Sequence, residues 1–146
     1  MRLQSRKSSC GPAALKNALE AIGIERTEDE LGALSKQTTE GTSQSGLERA
    51  IDAVGKGNDP IITSNRIYEQ RREVAGWAIS STIRAGRPVI IVVDNCEHWV
   101  SVVGMLGESF IVADSASNDV VLYYSLDELL GRWESDTGRY FGIIIK

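Results

Sequence analysis

Apolar positions follow a helical period over the first part of the chain. Leu15, Leu19 and Ile22 stand at i, i+4 and i+7, and Gly23 follows where a helix end takes a left-handed residue. Pro12 falls in the first turn, where its missing N–H costs nothing, so Cys10 is placed at or just before a helix N-terminus. Thr27-Glu28-Asp29-Glu30 reads as a capping box leading into Leu31 and Leu34. A third helix is predicted within TSQSGLERAIDAVG, with Leu47, Ile51 and Val54 on one stripe and Gly55 closing it. The stretch from Asn65 to Ala85 reads as helical in its second half, ending at Gly86, and its first half carries no clear pattern.

The pattern changes at Arg87-Pro88. VIIVVD, HWVSVVGM, SFIVAD and DVVLYY are β-branched, apolar runs separated by Asn, Gly, Ser and Asp, and they predict an antiparallel meander. Ser125-Leu126-Asp127-Glu128 opens a short helix through Trp133 by another capping box, and RYFGIII predicts a last strand. Helices first and strands second give an α+β class, with N-terminal helices packed on a C-terminal antiparallel sheet. No repeat, linker or low-complexity segment interrupts the 146 residues, a length that suits one hydrophobic core and hence a single domain over 1–146.

Composition narrows the function classes. Hydrophobic residues make up 42% and charged residues 25%, as in ordinary globular proteins. The formal charge is -4 and no basic block stands out, which argues against a nucleic-acid partner. The densest basic spot, Arg66, Arg71 and Arg72, is interleaved with Glu69 and Glu73 and reads as a solvated mixed-charge face. No apolar run is long enough to span a bilayer, and no apolar stretch follows Met1 to Ser9 as a secretory signal requires. Two cysteines, Cys10 and Cys96, are too few for a disulfide framework, so the expectation is two free thiols in a reducing cytoplasm.

Three features could carry chemistry. Cys10 sits where a helix dipole favours thiolate over thiol, with Gly11 leaving the sulfur open to approach. Taken alone, its position is better explained by a small buried residue at a helix start. His98, the only histidine, opens the strand HWVSVVG, whose alternation sends His98, Val100 and Val102 to one face and Trp99, Ser101 and Val103 to the other. A cysteine nucleophile needs a base or imidazolium partner, and only His98 can supply one. Asp114 ends SFIVAD. If that strand pairs with His98's strand across a turn at Gly107-Glu108, both residues fall near the same edge, where a carboxylate can fix the imidazole tautomer. A turn-initiating aspartate explains Asp114 equally well. Acyl transfer through a thiolate also needs donors for the developing oxyanion, and the Cys10 N–H and the Gln4 amide are candidates.

Gln4, Cys10-Gly11-Pro12-Ala13-Ala14, His98-Trp99-Val100 and Asp114 together resemble the bacterial leader peptidases that trim double-glycine leaders from bacteriocin precursors, a family of papain-like cysteine peptidases. EGTSQSGLERAIDAVG, RAGRPVIIVVD and SLDELLGRW extend the resemblance over most of the chain. It implies a papain-like fold, with Cys10 as nucleophile, His98 as general base and acid, Asp114 as orienting residue and Gln4 as oxyanion donor. The expected partner is a peptide or protein substrate, with no cofactor and no metal.

Two departures stand out. Ser115 takes the place of the proline that usually follows the aspartate, and the family's best-known members are fused to a membrane transporter, whose spanning helices and ATPase this sequence lacks. Docking to a transporter stays open. Some transporter-linked relatives have lost the catalytic residues and only bind, whereas both Cys10 and His98 are present here. Two further readings remain at this level: a non-cleaving peptide-binding module, and a thioester-forming transpeptidase. Cys96, two residues before His98, reads as a turn residue, since no paired-cysteine spacing supports a zinc site.

Overall fold

The computed structural model describes residues 10–35, 43–57, 62–94, 98–114 and 121–146. Its helices are α1 (Cys10–Ala21), α2 (Glu28–Leu34), α3 (Gln44–Lys56), α4 (Arg72–Arg84) and α5 (Leu126–Trp133). Its strands are β1 (Ser64–Glu69), β2 (Val89–Val93), β3 (His98–Leu106), β4 (Ser109–Ala113), β5 (Val121–Tyr124) and β6 (Tyr140–Ile145). They form one antiparallel sheet in the order β1-β6-β2-β3-β4-β5. The predicted meander is therefore β2 to β5, and the last strand returns to pair with β2.

Local chemistry accounts for the helix starts. Glu30 donates its N–H to Thr27 Oγ1 at 3.1 Å, and Thr27 donates its own to Glu30 Oε1 at 3.5 Å, so the capping box ahead of α2 is closed. Ser125 and Glu128 close the second box at 3.2 and 3.1 Å. Ser43 caps α3 through Gly46 at 3.0 Å. Gly23, at φ 83, ends the turn after α1 as the sequence predicts.

The sheet is covered on both faces. Leu15, Leu19, Leu31, Leu47 and Ile51 of α1 to α3 pack with Ile90, Val92, Trp99, Ile143 and Ile145 on one side. Ile79 and Ile83 of α4 and Leu129, Leu130 and Trp133 of α5 pack with Ile91, Val93, Val100, Val102 and Val112 on the other. A central strand with two dry faces has no polar side to show, which is why VIIVV is apolar throughout and every residue of β2 is buried. Each fully buried leucine or isoleucine contributes about 1.5–3 kcal/mol of transfer free energy.

Two expectations need correction. The stretch before α4 is not featureless: Ser64–Glu69 is a strand, and it interrupts the helices-then-strands order. Its residues pair from Ser64↔Ile145 to Glu69↔Tyr140, and only Ile67 is buried. An edge strand with one anchor leaves no alternation to read. Gly55 does not close α3 either, because the helix runs on to Lys56 and is capped at Gly57. Gly55 serves a close approach: a Cβ there would lie 1.9 Å from the Ile62 carbonyl oxygen.

The β3–β4 hairpin turns at Gly107, φ 62. Its register runs Leu106↔Ser109, Met105↔Phe110, Gly104↔Ile111, then shifts by a bulge so that Val102 faces Val112 and Ser101 faces Ala113. Continued by one residue, this register sets Asp114 opposite Val100. Residues opposite one another share a face, so Asp114 falls on the side of β3 that alternation gives to His98 and Val100.

Candidate active site

Cys10 is the first residue of α1, and its side chain is a free thiol, 8% exposed. Helix α1 packs across β3, bringing the sulfur to the start of that strand. Burial pushes the thiol's pKa up, but the hydrogen bond from His98, the backbone N–H groups of Trp99 and Gly11 and the charge of His98 outweigh it, and the net direction is down from 9.0. The Gly11 N–H is one of the donors that a helix start leaves without an intrahelical acceptor, and here it is turned on the sulfur.

His98 is half-buried and donates Nε2–H to Asp114 Oδ1 at 2.6 Å. With Nε2 committed to the carboxylate, Nδ1 is the nitrogen left for the thiol. Burial lowers the imidazole's proton affinity, but the hydrogen bonds and charges of Asp114 and Cys10 raise it further, and its pKa stands at about 9. A lowered thiol beside a raised imidazole shifts the pair toward its thiolate–imidazolium form. Such a pair is equipped for nucleophilic attack followed by proton delivery.

Asp114 is only 3% exposed, and its second oxygen is engaged as well. Arg132, in the last turn of α5, donates Nη2–H to Asp114 Oδ2 at 3.0 Å. The same guanidinium grips Asp94 with Nε and Nη2, both at 3.0 Å, and donates Nη1–H to the Tyr124 hydroxyl at 3.1 Å. Sequence reasoning missed Arg132, Asp94 and Tyr124. Arg132 lies inside SLDELLGRW, but a lone arginine closing a short helix carries no signal without the contacts that surround it.

Of the four residues singled out in the sequence, the structure brings Cys10, His98 and Asp114 together. Gln4 and Cys96 lie outside the described residues, as does Ser115. Among the described residues no group of three or more His, Cys, Asp or Glu side chains could hold a metal ion, and no helix is long and apolar enough to cross a membrane.

The comparisons with known proteins bear on the same architecture. The Peptidase_C39 like family model matches residues 1–140. The chain belongs to that family. The peptidase domain of Streptococcus ComA, a bi-functional ABC transporter of a quorum-sensing pathway, superposes with a TM-score of 0.72 at 21% identity, over 99% of this chain and 95% of that one. A double glycine motif protease from an AMS/PCAT transporter, solved with its leader peptide, gives 0.68 at 17% identity, over 98% of this chain and 86% of that one. At these identities the likeness speaks for the fold, which is the papain-like fold of C39 peptidase domains. Among curated proteins, an uncharacterized protein of Methanothermobacter thermautotrophicus is 44% identical over 55 residues, 38% of this chain. The chain thus matches little more than a third of that relative, 37% of its length.

Proposed function

We propose that this C39-like chain is an active cysteine peptidase in which Cys10, His98 and Asp114 perform the chemistry and Gln4 assists. The convergence of the three described side chains carries the reading: a thiol lowered at a helix start, an imidazole raised to about 9, and a buried carboxylate 2.6 Å from the imidazole.

The Cys10 thiolate adds to the carbonyl carbon of the scissile peptide bond, and the electron pair moves to the oxygen. The Cys10 N–H and the Gln4 amide are the donors aimed at that oxyanion, Gln4 on the strength of its place in the family motif. His98 then delivers its proton to the departing amine, the C–N bond breaks, and a thioester remains on the sulfur. Neutral His98 takes a proton from water, the hydroxide equivalent attacks the thioester, and release of the acid restores the thiolate–imidazolium pair. Asp114 holds the ring so that one nitrogen always faces the sulfur.

The substrate is a peptide with a double-glycine leader, a class supported by family membership and by the leader-bound AMS/PCAT neighbour. A reducing cytoplasm suits the free Cys10 thiol. The test is a cleavage screen on a library of leader peptides varied at the two residues before the scissile bond, run with native protein and Cys10→Ala. Cleavage after Gly-Gly by the native protein alone is the expected result. Equal product from both proteins, or none from either, overturns the proposal.

A further inference from the structure

Arg132 makes more contacts than a surface ion pair needs. Its guanidinium bridges two carboxylates, Asp114 at 5% side-chain exposure and Asp94 at 49%, and it lies 5.9 Å over the Tyr124 ring. The grip is mutual, because Asp94 also donates its N–H to the Arg132 carbonyl at 3.2 Å. Asp94 holds a positive φ of 54, unlike every other described residue except glycines. A partly buried ion pair adds little net stability once desolvation is counted, so stability alone does not explain this arrangement. Position and charge do. One group ties the end of β2, the carboxylate after β4, the last residue of β5 and the last turn of α5 to the point where His98 is oriented.

We propose that Arg132 is the positioning residue of the site, fixing the Asp114 carboxylate toward His98 and tempering its negative charge so that the imidazolium stays acidic enough to give up its proton. The proposal rests on the peptidase reading above. The charged groups around His98 alternate: Cys10 from α1, Asp114 beyond β4, Arg132 from α5 and Asp94 beyond β2, with the Tyr124 hydroxyl from β5 beside Arg132. Helix α4 meets this layer with apolar Ile79 and Ile83, while its Arg72 is engaged with Asp127 and Glu134. In this series the sign of each effect is fixed. Without the Arg132 charge, Asp114 acts on His98 uncompensated and the imidazolium holds its proton more tightly. Without the Asp94 charge, Arg132 neutralises Asp114 more fully and the imidazolium lets go sooner.

Opposite shifts from neighbouring substitutions are something a merely structural arginine does not produce. The rate of Cys10 alkylation by iodoacetamide is measured against pH alongside kcat for the leader peptide, in the native chain and in Arg132→Gln, Arg132→Lys and Asp94→Asn. Arg132→Gln keeps a hydrogen-bond donor and removes the charge, and its alkaline inflection should rise by about one pH unit. Asp94→Asn, chosen because asparagine accepts a positive φ, should lower that inflection. Arg132→Lys should leave it in place and lose several-fold in kcat, since an ammonium keeps the charge without the fork. If the inflection stays put in both charge-removing variants, or moves in one direction for both, Arg132 is structural and the proposal fails. Should Arg132→Gln not fold, Asp94→Asn decides alone: a downward shift supports the proposal, and any other outcome overturns it. Alkylation needs no substrate, so a chain that cleaves nothing yet shows the opposed shifts sinks the peptidase reading and leaves the role of Arg132 standing.

Discussion

The imidazole of His98 and the carboxylate of Asp114, sixteen residues apart in sequence, meet at 2.6 Å beside the first residue of the first helix. Because Arg132 occupies the other carboxylate oxygen, Asp114 presents one oxygen in one direction. Asp114→Asn should therefore do more than remove a charge. Arg132 has only N–H groups to offer, so it draws the amide oxygen, which turns the NH2 toward His98. The ring must then accept at Nε2 and carry its proton on Nδ1, facing the sulfur it should deprotonate. The expected loss is roughly a hundredfold or more in kcat with little change in KM. A variant within a factor of about three of native kcat contradicts this account of the tautomer.

Thiol reactivity separates a catalytic pair from a passive cysteine. Iodoacetamide at neutral pH should label Cys10 at least about tenfold faster than Cys96, and His98→Ala should remove the advantage. Labelled peptides read by mass spectrometry give both rates in one experiment. Slow, equal labelling would favour a non-cleaving binding module of the same fold.

The pH profile follows from the two shifts. His98 is raised to about 9, so hydrolysis should fall as pH rises through that value and the proton for the leaving amine is lost. Cys10 is lowered from 9.0, so the acid limb should lie below the ordinary thiol range. The folded pKa of His98 lies above its unfolded value of 6.5, so its stabilising effect is complete below 6.5 and disappears as pH climbs through about 9. The Tm difference between native protein and His98→Gln should narrow over that window. A constant difference from pH 6 to 10 argues against the raised imidazole.

Gly55 offers a control away from the site. An alanine there drives its methyl into the backbone oxygen of Ile62, which cannot swing aside like a side-chain tip. Gly55→Ala should cost about 3 kcal/mol of stability while leaving the alkylation rate of Cys10 in the folded fraction unchanged. Urea titration with parallel labelling checks both halves.

Legibility in the sequence followed locality. The capping boxes at Thr27 and Ser125 and the left-handed Gly23 are written within four residues, and all form as expected. β2 to β5 announced themselves because their apolar runs are consequences of burial that composition records directly. β1 was hidden because Asn65, Arg66 and Tyr68 become a strand only through pairing with β6, a partner at the far end of the chain. The same distance concealed Arg132. Its importance lies in Asp94, Asp114 and Tyr124, three residues from three separate strand ends, and no local pattern gathers them.

The single unpaired step in the β3–β4 ladder has a consequence for how this chain can vary. Between His98 and Asp114 the count of residues matters as much as their identity, since one insertion or loss that slides the ladder reverses which layer receives the carboxylate. Within the arms, a one-residue length change keeps Asp114 on the His98 side only when a matching change on the other arm restores the register.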